Sequence, residues 1–198
     1  LCKTTDLAKK LGDADEYCVC VQSKIQNQYR FKEYEELLAA EKTKAFRDAG
    51  RACYTETDAA TAIYAKLRLD AAQLTAKAKY ADAIAKLQTI FNENKANAVD
   101  YSAMGVNYIF TRQFDKAQNL LREGEKQYPA DLLIQLNLAH ALLLRGNYSQ
   151  AKGIYKKYKT QNATDNLSWQ AKVNADFAAF KKAGLSSEDF DRILKTVE

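Results

Sequence analysis

The side chains with reactive potential are few: four cysteines and one histidine in 198 residues. Cys2, Cys18, Cys20 and Cys53 lie toward the N-terminus, and the 145 residues after them contain none. Thiols so grouped form disulfides, hold zinc or exchange electrons, and their spacing weighs these uses against each other. Structural zinc takes paired cysteines two to four residues apart on turns. Here one Cys18-Val19-Cys20 sits among helix formers and the other two cysteines are isolated. A Cys18–Cys20 bond would close a very small ring, and neighbours two apart on a helix point to different sides. An even count confined to one segment reads as a local disulfide framework. In it, one of Cys18 and Cys20 bonds to Cys53 and the other to Cys2. Two rival readings stand beside it: an intracellular chain whose cysteines are reduced or hold zinc, and a thiol–disulfide redox protein using the Cys18/Cys20 pair.

A single histidine, His140, excludes multi-histidine metal sites. It follows the small Ala139, a position expected to line a groove, with a catalytic or pH-sensing role as the alternative. Glu33, Glu35, Glu36, Glu123 and Glu125 fall on polar helix faces, where solvation explains them. There is no glycine-rich phosphate loop, no Gly-x-Ser-x-Gly and no His-Glu-x-x-His. The expectation is a protein that is not an enzyme, with no metal and no cofactor.

The elements that position these residues follow from composition. One proline and seven glycines leave few turn punctuators, so the chain reads as all-α. No apolar run approaches the roughly 18 to 20 residues of a membrane helix. The net charge is +5, divided as −1 over residues 1–63 and +6 over the rest. Basic residues never run beyond a pair, and Lys152, Lys156, Lys157 and Lys159 read as one solvated helix face, so no nucleic-acid partner is expected. The chain opens on Leu1, which reads as a form whose signal peptide has been removed, and with the cysteines this points to a periplasmic or secreted protein.

The strongest pattern is a repeat of period 34. Tyr80, Phe114 and Tyr148 keep that step, as do Ala83, Ala117 and Ala151, and Leu87, Leu121 and Tyr155. The small residues Ala71, Gly105 and Ala139 and the large residues Leu74, Tyr108 and Leu142 keep it too. Small positions mark where a partner helix crosses closely, and large ones fill the space beside the crossing. Ala78-Lys79-Tyr80, Arg112-Gln113-Phe114 and Gly146-Asn147-Tyr148 turn one helix into the next.

These columns resemble the tetratricopeptide repeat family, most closely in the middle unit, through Met104-Gly105, Tyr108, Phe114, Ala117, Leu121, Gly124 and Pro129. In the flanking units Lys95 and Ala163 stand where the closing proline belongs. The resemblance implies a right-handed superhelix of about three helical hairpins, at about 64–97, 98–131 and 132–165 within residues 58–165. Residues 1–57 read as an N-terminal helical cap stapled by disulfides, with helices over Asp6–Leu11, Asp13–Tyr29 and Phe31 to about Ala49. Residues 166–198 read as a pair of C-terminal capping helices, one from Leu167 to about Ala183 and one carrying Phe190, Ile193, Leu194 and Val197.

The resemblance further implies a non-enzymatic adaptor or scaffold that binds a peptide or protein segment in a concave groove, lined by the first helix of each unit. In this chain that lining is expected from Arg68, Ala72, Thr75, Ser102, Val106, Ile109, Leu136, His140, Leu143, Gln170 and Asn174. Family members that hold a C-terminal carboxylate use paired basic and amide side chains there. Here Arg68 and Asn137 match but Leu133 is apolar, so that specialised use is not expected.

Overall fold

The computed structural model describes residues 14–197, and for residues 14–16 and 54–60 their backbone alone. The expected Asp6–Leu11 helix and Cys2 lie outside the described residues. The chain divides into two compact units, Leu1–Lys66 and Leu67–Glu198.

In the first unit, α1 spans Ala14–Gln28, α2 spans Phe31–Glu36, and α3 begins at Ala39. Both later starts are set the same way. The Glu33 carboxylate accepts the Arg30 N–H at 2.9 Å, and the Glu41 carboxylate accepts the Leu38 N–H at 2.9 Å. Each glutamate thus reaches back to a donor that the new helix leaves unpaired. Leu37 is extended, which separates α2 from α3. The expected single helix from Phe31 to about Ala49 is therefore interrupted early. It also does not stop at Ala49, because α3 runs to Ala76. Gly50 sits within it where the Tyr17 hydroxyl approaches: an added Cβ would lie 2.8 Å from that oxygen. Gly50 is thus a point of close packing within α3.

The second unit contains the end of α3 and then α4 (Tyr80–Asn92), α5 (Ala98–Phe110), α6 (Phe114–Gln127), α7 (Leu132–Leu144) and α8 (Tyr148–Tyr158). The three members of the aromatic column, Tyr80, Phe114 and Tyr148, open α4, α6 and α8, as the repeat requires. The turn before each carries one left-handed residue at the same position: Ala78 (φ 56°), Arg112 (φ 60°) and Gly146 (φ 87°). At each, paired backbone bonds close the preceding helix, such as Asn147 N–H to Leu142 O at 2.8 Å and Gly146 N–H to Leu143 O at 3.0 Å. This is the Schellman closure, which glycine adopts freely and other residues adopt under strain. Ala71, Ala83, Ala117, Ala139 and Ala151 are buried, as small residues at helix crossings must be. At Gly105 a Cβ would come within 2.6 Å of the Leu121 side chain, so only glycine lets α5 and α6 meet there. First helices α5 and α7 also touch each other, which makes the array continuous.

After α8 the chain forms a short antiparallel hairpin, β1 (Asn162–Thr164) with β2 (Leu167–Ser168). It leads into α9 (Trp169–Lys182), capped by Ser168, whose hydroxyl accepts the Ala171 N–H at 3.2 Å. Gly184 (φ 71°) ends α9, and α10 (Phe190–Val197) packs on α8 and α9. Phe177 and Phe190 stack at 4.1 Å, within a core that includes Trp169, Phe180 and Tyr155. This all-α repeat architecture is the expected one; the hairpin is the addition.

Candidate functional site

The cysteines resolve first. Cys20 and Cys53 form a disulfide across 33 residues, with Cα atoms 5.8 Å apart. It ties α1 to α3 beside the buried Tyr17, Val21 and Ala49. Cys18 is also disulfide-bonded, and the expected bond to Cys2 lies outside the described residues. Cys20 is committed to Cys53, so Cys18 and Cys20 are not the redox pair of the third sequence reading. Among the described residues, no group of histidine, cysteine and carboxylate side chains is placed to hold a metal.

The first helices of the second unit carry most of the expected groove residues, and here the structure departs from expectation. Arg68 on α3 reaches the buried Asp100 on α5 with three guanidinium contacts of 2.7 to 3.1 Å and also donates to the Lys95 carbonyl at 3.1 Å. Asp100 further accepts the Asn97 N–H at 2.9 Å, so one carboxylate caps α5 and anchors α3. Thr75 donates to the Asn107 side-chain oxygen at 2.9 Å. Ser102 receives the Asn137 amide at 2.8 Å, joining α5 to α7. His140 on α7 lies 3.1 Å from the Asp176 carboxylate of α9 and 2.6 Å from the Tyr155 hydroxyl of α8. Each polar residue expected to face a partner from α3, α5 or α7 thus has a hydrogen-bond partner on the next first helix.

His140 is fully buried, so it does not line an open surface. Burial lowers its pKa below 6.5, against the opposing pull of Asp176. The ring is therefore neutral near pH 7, and one tautomer satisfies every partner: Nε2–H donates to Asp176 and Nδ1 accepts from Tyr155. Burial pushes the Tyr155 pKa well above 10, and the nearby Asp176 charge adds to this, which keeps the phenol a donor. For Asp176, burial alone would raise the carboxyl; the hydrogen bond from His140 and the Lys172 ammonium overcome it and hold the group below its ordinary value. Lys172 pairs with the other Asp176 oxygen.

Three further lining expectations are corrected in the same way. Ile109, Leu136 and Leu143 are fully buried in the core, and Ser102 is nearly so. The physical reason is coverage: α7 lies beneath both its hairpin partner and its neighbouring first helices, and nearly all its side chains are enclosed. Ala72 and Asn174 are exposed, and Arg68, Thr75, Val106 and Gln170 are partly so. These six keep access to solvent.

Sequence reasoning missed Asp100, Asn107, Asp176 and Tyr155 as the partners in these contacts. For Asp100 there was a signal, since Asn97-x-x-Asp100 is a capping pair. For His140 the signal was the helix itself: Leu132–Leu144 is apolar nearly all round, the mark of a buried helix.

Residues 111–174 match the family model described as Tetratricopeptide repeat. No curated protein and no solved structure matches the chain.

Proposed function

Taking as premise that the chain carries tetratricopeptide repeats, we propose that it is a non-catalytic adaptor that binds a peptide or protein segment on the first-helix face of its second unit. Tetratricopeptide repeats serve protein–protein interaction, and stacked hairpins present an extended surface suited to a chain segment. The observation that carries the reading is what remains open on that face. Ala72 and Val106 have no side-chain group to bond, and among the described residues Gln170 and Asn174 make no inter-helix hydrogen bond, while the polar residues beside them are locked in place. A fixed polar frame around open small, apolar and amide side chains is a preorganised surface, which lowers the ordering cost of binding.

In this reading the adaptor works in the periplasm or outside the cell. The Cys20–Cys53 disulfide supports an oxidising compartment, where such bonds persist. It speaks against the intracellular alternative with reduced or zinc-bound cysteines.

The test selects peptides from a displayed library on the whole chain and measures their binding to variants. Val106→Arg and Asn174→Arg should each weaken the selected peptide about tenfold or more, while Lys86→Glu on α4 leaves it unchanged. Arg68 and His140 are unsuitable probes, because replacing either one strikes the fold. Equal binding by all three variants would remove the proposed face.

A further inference from the structure

A concave feature of the first unit is lined by residues outside the repeats. A cleft of about 670 Å³ opens among α1, α2 and the first part of α3. That volume falls inside the roughly 300–1,000 Å³ range of small-molecule sites. Ile25, Tyr29, Phe31, Tyr34 and Phe46 supply its apolar surface. Ile25 and Phe46 pack against the buried Tyr17, Val21, Ala49 and Cys53, so the inner wall is fixed to the disulfide-bonded core. Phe31, by contrast, is 78% exposed, a large apolar side chain held in water at the mouth.

The polar part of the lining is equally selective. It consists of Gln22, Gln26 and Arg30, and no carboxylate of the described residues lines the cleft. Glu33 is nearby, but its carboxylate takes the Arg30 backbone N–H. No ion pair of the Arg30 guanidinium occurs among the described residues. The Lys42 ammonium lies 5.8 Å from the Tyr34 ring centre but is not part of the lining, and it donates to the Glu35 carbonyl at 2.8 Å. The lining therefore combines aromatic and aliphatic walls with one guanidinium, that of Arg30.

We propose that this cleft binds a single-chain amphiphile with one anionic head group, its apolar chain against Ile25, Tyr29, Tyr34 and Phe46 and its head at Arg30. Charge complementarity fixes the head group: a guanidinium takes a carboxylate through paired N–H donors. Size argues for a small molecule over a protein. A stable protein interface uses about 20–30 residues a side, and nine line this cleft.

The test is isothermal titration of the whole oxidised chain with dodecanoate, dodecanol and dodecyltrimethylammonium, each below its micelle concentration, with circular dichroism confirming an unchanged fold. Dodecanoate should bind with one site per chain and about tenfold or more tighter than the alcohol, since a charge-assisted contact is involved, and the cation should bind weakest. Arg30→Glu, at an exposed position, should abolish or reverse that order. Phe31→Ser should weaken all three probes and keep the order. Equal binding of the three probes, no binding of dodecanoate, or an unchanged order in Arg30→Glu would overturn the proposal. Sedimentation of the same samples covers the other occupant. Self-association that Phe31→Ser breaks and dodecanoate leaves intact would assign the cleft to a second copy of the chain and also overturn it.

Discussion

The two units hold short helices together by different means. Among the described residues, the first unit encloses four residues, Tyr17, Val21, Ala49 and Cys53, in its apolar cluster, whereas the second encloses twenty-three in one continuous core. So small a core offers little against the entropy of ordering its helices, and a covalent tie compensates; removing such a bond costs about 2–5 kcal/mol. The second unit has no cysteine and needs none, because each hairpin buries its face on the next. The lesson is that stacking and cross-linking are alternative answers to one problem, and this chain uses each where the other is lacking.

The sharpest way to break the stacked side is Phe177→Ala. Phe177 stacks on Phe190 and meets Tyr155 edge-on, and losing a buried ring of this kind costs about 3–5 kcal/mol. Chemical denaturation should show that loss in the second unit, with the Cys20–Cys53 region keeping its protection.

The next contrast lies between two glycines of the same unit. Gly105→Ala forces a methyl against Leu121 and should cost about 1–2 kcal/mol net of the gain in helix propensity. Gly153→Ala meets nothing within 4 Å and should stabilise by about 0.5–1 kcal/mol. Urea midpoints moving in opposite directions would bear this out; a shift of the same sign in both would refute the close approach of α5 and α6.

His140 makes a pH-dependent difference that the first unit lacks, since it is the one histidine of the chain. Its folded-state pKa is lowered, so the unfolded state takes up the proton first as pH falls. Stability is then complete above the ordinary value of 6.5 and declines below it, by at most about 1.4 kcal/mol per pH unit. Denaturation at pH 7, 6 and 5 should follow that decline in the native chain, and His140→Gln should flatten it.

The smallest effect concerns the turns. Ala78 holds a left-handed backbone that Gly146 occupies at the equivalent position. Ala78→Gly should stabilise by about 1 kcal/mol, and Gly146→Ala should cost a similar amount, read from thermal midpoints.

These details show which features a one-dimensional pattern records. The period of 34 placed the starts of α4, α6 and α8 at Tyr80, Phe114 and Tyr148, because each hairpin must repeat the same crossing. The Cys53 pairing with one member of Cys18-Val19-Cys20 was legible from geometry. The length of α3 was not: the expected helix ended at about Ala49, whereas Gly50 packs against Tyr17 inside a helix that runs to Ala76. The hairpin at Asn162–Ser168 was too short to leave a strand pattern. The groove was half legible. Spacing identifies the face of a first helix but cannot say whether the next helix covers it, and so Arg68, Thr75, Ser102 and His140 were read as facing a partner when they face Asp100, Asn107, Asn137 and Asp176.

The most direct measurement of the difference between the units is amide hydrogen exchange followed by mass spectrometry, with and without a disulfide reductant. The account predicts that reduction removes protection from α1 and the Cys53 segment of α3, while α5 to α10 exchange as before. Loss of protection in both regions together, or in neither, would contradict it.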